Sequence, residues 1–200
     1  PRLLTYNVSG VMYDAGVIWR PNARTELQAR AGHRYGGTTV VGSLTHQFSE
    51  HYGMSAQVFD TVETFGQRLN SDLGSLPDNV QVNRDPLTGA LGGCAFGATG
   101  GSGVCLDRSL QTITGSTFRA RGGSLIFSGS RGRWNFGAGA SYANRRYFRP
   151  TGNGFDGLSP TEDEVYSLYA SLGHRLSRTS DVSLNAYASR YDSALARWRE

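Results

Sequence analysis

Two hundred residues, of which 38% are hydrophobic, are enough for one large domain, and nothing in the length demands a second. No apolar run approaches the ~18 residues of a membrane helix, so any membrane crossing has to be made by a closed β-sheet whose backbone groups pair among themselves. All 20 basic side chains are arginine against 16 acidic ones, a formal charge of +4, and they are scattered singly without a basic cluster or binding motif, which sets nucleic-acid recognition aside.

The chain opens at Pro1 without a charged-then-apolar leader, and the expectation is that any export signal has been removed or was never part of this sequence. Residues 11–20 then alternate, with Val11, Tyr13, Ala15, Val17 and Trp19 on one side and Asp14, Gly16 and Arg20 on the other, before Pro21-Asn22 makes a turn. The stretch TELQARAGHRYGGTTVVGSLTHQFS, residues 25–49, repeats the pattern twice around Gly36-Gly37. Leu27, Ala29, Ala31, His33 and Tyr35 oppose Glu26, Gln28, Arg30 and Arg34; Val40, Gly42, Leu44 and Phe48 oppose Thr39, Ser43, Thr45 and Gln47. Strands of this length exceed the usual five or six residues and suit a tilted crossing of a bilayer, which needs roughly nine to eleven.

A fourth strand follows over residues 54–65, with Met54, Ala56, Val58 and Val62 opposing Ser55, Gln57, Thr61 and Glu63. Asp60 interrupts its apolar side, through a bulge or a position at the membrane boundary. Residues 67–115 lack sustained periodicity and are dense in Gly, Asn, Asp and Pro, which reads as a long outer loop. That loop carries Cys94 and Cys105, the only cysteines, and their closeness in GGCAFGATGGSGVC leads to an expected disulfide and an oxidising compartment; with no histidine nearby, a metal site is disfavoured.

Alternation returns at Phe118, with Ala120 opposite Arg119 and Arg121, and slips by one at Gly122-Gly123, where a glycine bulge is expected to bring Leu125 and Phe127 back to the apolar side. Next comes WNFGAGASYANRRYF, with Trp134, Phe136, Ala138, Ala140 and Tyr142 opposing Asn135, Ser141 and Arg145. A second outer loop occupies residues 150–162. Two more strands follow, Tyr166, Leu168, Ala170 and Leu172 in one and Val182, Leu184, Ala186 and Ala188 in the other. PNAR, SEHYG, SRGR and SRTSD are all short, whereas two of the three intervening connections, residues 67–115 and 150–162, are long, the layout of outer-membrane barrels.

The sequence reading is therefore all-β: an antiparallel up-and-down transmembrane β-barrel, one region over residues 1–200 with about eight strands visible. Arg30, Arg34, Arg119, Arg121 and Arg145, with Glu26 and Glu63, are expected to face the lumen, where rings of arginine favour anions. The alternative for these charges is that they pair across the lumen and fill it. Aromatic residues near strand ends suit two interfacial girdles, and the histidines read as further anchors; they form no recognisable catalytic motif, so no enzyme, cofactor or metal is expected. A soluble sandwich or lipocalin-like barrel is disfavoured because the alanines of the apolar side would fill a core poorly.

Three motifs, RPNARTELQARAGHRYGG, RDPLTGALGGCAFGATGGSGVCLDRSL with the following FRARGG, and PTEDEVYSLYASLGHRLSRTSDVSLNAYASRYDS, span most of the chain. In these the sequence resembles Gram-negative outer-membrane β-barrel proteins of the exopolysaccharide-locus or PEP-CTERM-associated type. The resemblance implies location in the cell outer membrane, contact with its lipid, and a part in polysaccharide export or surface assembly alongside other export-machinery proteins. It brings no catalytic residue. The ending ALARWRE departs from the aromatic-terminated last strand usual in such barrels and leads to the expectation of a longer barrel.

Overall fold

The computed structural model describes residues 10–34, 36–74, 93–96, 100–106, 117–148 and 162–193. Eight strands form one antiparallel sheet: β1 (Tyr13–Asn22), β2 (Thr25–Arg34), β3 (Gly37–Gln47), β4 (Tyr52–Thr64), β7 (Thr117–Arg131), β8 (Trp134–Tyr147), β9 (Glu162–Arg175) and β10 (Asp181–Ser193). Each neighbours the strand before it in this list, an up-and-down order. Between β4 and β7 the chain adds helix α1 (Phe65–Gly74) and a small hairpin of β5 (Gly93–Phe96) and β6 (Gly103–Leu106).

The protein is thus all-β in its main body, and the eight expected strands are present. The sheet is not closed, however: β1 and β10 are its edges, and among the described residues neither pairs with the other. The second outer loop lies outside the described residues apart from Glu162, which opens β9. The long loop is more structured than its composition suggests. Helix α1 starts with a reciprocal capping box, the Gln67 N–H donating to Thr64 Oγ1 (3.3 Å) and the Thr64 N–H to Gln67 Oε1 (3.0 Å).

The expected bulge at Gly122-Gly123 is absent. Pairing of β7 with β4 and with β8 continues without a shift through Arg121, Gly122, Gly123 and Ser124. Gly122 has a different cause: the Phe59 ring lies against it and its backbone meets the Tyr142 carbonyl, leaving no room for a Cβ. With the register unbroken, Arg119 and Arg121 stay on the same face as Leu125 and Phe127.

Pairing fixes the two faces, since directly paired residues share a side. One row reads Trp19, Leu27, Leu44, Ala56, Leu125, Ala140, Leu168 and Ala188. The adjacent row, on the opposite face, reads Ile18, Gln28, Ser43, Gln57, Ser124, Ser141, Ser167 and Ser189. Along these middle rows the sheet therefore has an apolar face and a polar face, and the second face also carries the buried hydrophobic residues Phe118, Ala120, Ile126, Val165 and Tyr169. Burial runs against the habit of a soluble domain, because the apolar face is the exposed one: Leu168, Leu184, Val58, Val182 and Trp134 are all open, Leu184 at 69%.

Candidate functional site

The apolar face is a band with aromatic borders. At the end of the short turns, Trp134 and His174 have ring centroids 4.1 Å apart, and His46, Phe48 and Tyr52 form a chain of contacts at 4.6 and 6.0 Å. At the opposite end stand Tyr142 with Tyr166 (4.8 Å) and Tyr13 with His33 (5.9 Å). From Trp134 to Tyr142 is eight residues, about 27 Å of strand, which at the ~40° tilt of closed barrels gives a band about 20 Å tall. Three of the four histidines lie on these borders.

The polar face has two halves. Over β7, β8 and β9 it is covered by the β5–β6 hairpin, for which the sheet provides a seat. The Phe96 ring lies on Gly137, where any Cβ would collide with it, and meets Tyr169 at 5.9 Å. Gly100 and Gly101 press against the backbone of Tyr52, Gly53 and Met54, again too close for a side chain at Gly53. The Gly101 N–H donates to Ser128 Oγ (3.0 Å), and the Ser128 hydroxyl donates to the Ser102 carbonyl (3.1 Å). Ser128 is wholly buried as a result. Sequence reasoning missed this seat, although glycines inside strands at 53 and 137 are the signal of a close backbone approach. The hairpin also sets Cys94 directly opposite Cys105 in its backbone register.

Further toward the loop end, the covered half buries an ion pair. Arg145 lies 3.5 Å from Asp163, and the hydroxyls of Tyr147 (2.7 Å) and Tyr191 (2.9 Å) donate to the same carboxylate. Both charged side chains are almost sealed from solvent. Glu63, on the polar face of β4, pairs with Arg68 of α1 at 3.1 Å.

The open half lies over β1 to β3 and the middle of β4, at Gln57 and Val58. There Asp14, Gly16, Ile18, Gln28, Arg30 and Ser43 help to line a trough of about 470 Å³. Its charges are mostly matched: Arg20 holds Glu26 through two hydrogen bonds (3.0 and 3.1 Å), and Arg34 holds Asp14. Arg30 is held most loosely, 4.0 Å from Asp14 with 65% of its side chain exposed. Of the seven charged residues expected to line a lumen, Glu26, Glu63, Arg30, Arg34 and Arg145 share the polar face, but only Glu26, Arg30 and Arg34 belong to its open half.

Arg119 and Arg121 stand apart, on the other face just beyond the apolar band. Asp60 accepts from both: Arg119 Nε and Nη2 at 2.7 and 2.8 Å, and Arg121 Nε at 3.0 Å. Asp60 belongs to an unshifted ladder and therefore marks a border of the band, not a bulge. Compared with known protein families, curated proteins and solved structures, the chain has no match.

Proposed function

We propose that the sheet is part of the wall of an outer-membrane β-barrel, with its apolar face against lipid and its polar face toward a water-filled lumen. The observation that carries this reading is the exposed apolar band with aromatic borders on both sides, set back to back with a hydroxyl- and amide-rich face. In water such a face would be an aggregation liability; in lipid it is the expected exterior. Two open edges could not persist in a bilayer, because their unpaired backbone groups would find no partner there, so closure is completed by mutual pairing or by further strands.

On this reading the lumen is partly filled by the β5–β6 hairpin, and the remaining path follows β1 to β4 past Arg30. The solute is anionic, and the resemblance described above makes an acidic polysaccharide, handled together with other export proteins, the proposed passenger. A second reading, a non-conducting outer-membrane scaffold whose loops bind a partner or polysaccharide, is favoured by the hairpin's close seating. Ion conductance of the purified protein in a planar bilayer separates the two. Stable single-channel steps with anion preference support the pore; a silent protein that still sediments with outer membranes supports the scaffold.

A cross-strand disulfide between Cys94 and Cys105 belongs to the same proposal. Their register places the two α-carbons as direct partners, the spacing at which a bridge closes in an antiparallel pair.

A further inference from the structure

Among the described residues, β1 and β10 have no partner on their outer sides. β10 runs for 13 residues, and no proline, glycine or ladder shift interrupts it. Natural edge strands are usually blunted by such features, so an edge this long and regular is one that pairs. β1 is exposed along all 10 of its residues. With eight strands in alternating direction, β1 and β10 run opposite ways and suit each other as antiparallel neighbours.

Within one chain, that pairing meets what the polar face already carries. The interior of an eight-stranded barrel is just wide enough for its own inward side chains, and a barrel that surrounds a single helix has about eleven strands. Here the β5–β6 hairpin is seated on the polar face, backbone against backbone at Gly53 and Gly100 and with Phe96 on Gly137 of β8. Arg68 of α1 stacks over the Phe59 ring on the same face at 4.5 Å. Closing the eight strands on themselves would set β2, four strands from β8, across from the hairpin with Gln28, Arg30 and Arg34 pointing into it.

From this crowding, and resting on the membrane reading given above, we infer that a second copy of this chain completes the wall. β10 of each copy pairs with β1 of the other, and two eight-stranded sheets close one barrel of 16 strands. Barrels of that size hold an aqueous channel, with room for two hairpins.

The edges carry the complementarity that selects this occupant. At the turn end of β1, Arg20 holds Glu26 of β2 at 3.0 Å; at the turn end of β10, Asp181 lies 3.5 Å from Arg175 of β9. All four stand on the polar face. Val182 continues the border row of Trp134 and His174, so keeping that border level across the seam sets Val182 beside Trp19. Antiparallel pairing from there brings Asp181 beside Arg20 and Leu184 beside Val17. Charges then alternate across the seam in the order Glu26, Arg20, Asp181, Arg175, and exposed apolar side chains adjoin on the other face. Both halves of the match lie on this chain, so another copy offers the two missing edges at once, and a twofold ring uses both seams equally.

The test uses the whole protein in outer membranes, with Cys94 and Cys105 replaced by serine. Two differently tagged versions are co-expressed, one with Val17→Cys and one with Leu184→Cys, and oxidised; a separate version carries both substitutions in one chain. Native mass spectrometry of the unsubstituted protein accompanies them. The expected results are a disulfide-linked dimer bearing both tags, at least tenfold less of it when Ser189→Cys on the other face replaces Leu184→Cys, and two chains per particle. A bond within one chain in the doubly substituted version, equal linkage at Ser189→Cys, or one chain per particle would each overturn the second copy. Sedimentation reports the membrane reading separately: a single chain that still sediments with outer membranes removes the second copy and keeps the membrane wall.

Discussion

The polar side of β1–β3 and the polar side of β7–β9 come from the same alternation of residues, yet one holds its Arg–Asp contacts in solvent and the other buries one almost completely. Asp14 meets Arg34 and Arg30 in an open trough; Asp163 meets Arg145, Tyr147 and Tyr191 where its side chain is 1% exposed. Strand pattern assigns a residue to a face, but what lies over that face decides its energetics. A buried charge that loses its partner is costly, while an exposed pair gains little because water solvates both members.

The largest expected effect follows directly. Asp163→Ala removes the buried carboxylate on which Arg145, Tyr147 and Tyr191 converge and should destabilise the fold by ~3–5 kcal/mol. Asp14→Ala, in the open half, should leave the urea midpoint in detergent micelles where it was. Equal effects would erase the distinction between the halves.

The next test sharpens the boundary set by the hairpin. Gly137→Leu forces the Phe96 ring off its seat and should cost about 1–3 kcal/mol as overpacking. It should also expose residues 93–106 to protease. Ser43→Leu, at an exposed position of the open half, should do neither, and protease resistance in both variants would mean that the hairpin does not depend on its glycine seat.

Much of this architecture was legible from the residues. Period two gave the strands and, through unbroken pairing, most of the two faces, because an unshifted ladder carries the alternation across the sheet. Two features escaped for a physical reason. Gly122-Gly123 suggested a bulge because glycine in a strand has several causes; the actual one, the Phe59 ring from the neighbouring strand, is a nonlocal contact that no local window contains. The hairpin seat is nonlocal in the same way, joining Phe96 to Gly137 and Gly101 to Ser128. By contrast, α1 announced itself locally in Thr64-x-x-Gln67, a signal masked by the loop-like composition that follows.

A smaller effect concerns ion selectivity. Arg30→Gln should move the reversal potential in a salt gradient toward cations with no loss of stability, because the side chain is open to water and held only at 4.0 Å. Arg121→Gln should leave the reversal potential unchanged, since that residue stands on the opposite face. A shift in both would place the two arginines along one path. The smallest effect is chemical: alkylation without reductant should label no thiol at Cys94 or Cys105, read by intact mass, and two labelled thiols would remove the disulfide.

The central claim is that one face meets lipid and the other water, and adjacent residues of β9 test it. Leu168 lies in the apolar band and Ser167 beside it on the polar face. Tryptophan is introduced at each in turn, and the added fluorescence over wild type is measured in liposomes of brominated phosphatidylcholine. The expected result is strong quenching for Leu168→Trp and little for Ser167→Trp. Equal quenching at the two positions, or none at Leu168→Trp, would contradict the assignment of the apolar face to the membrane.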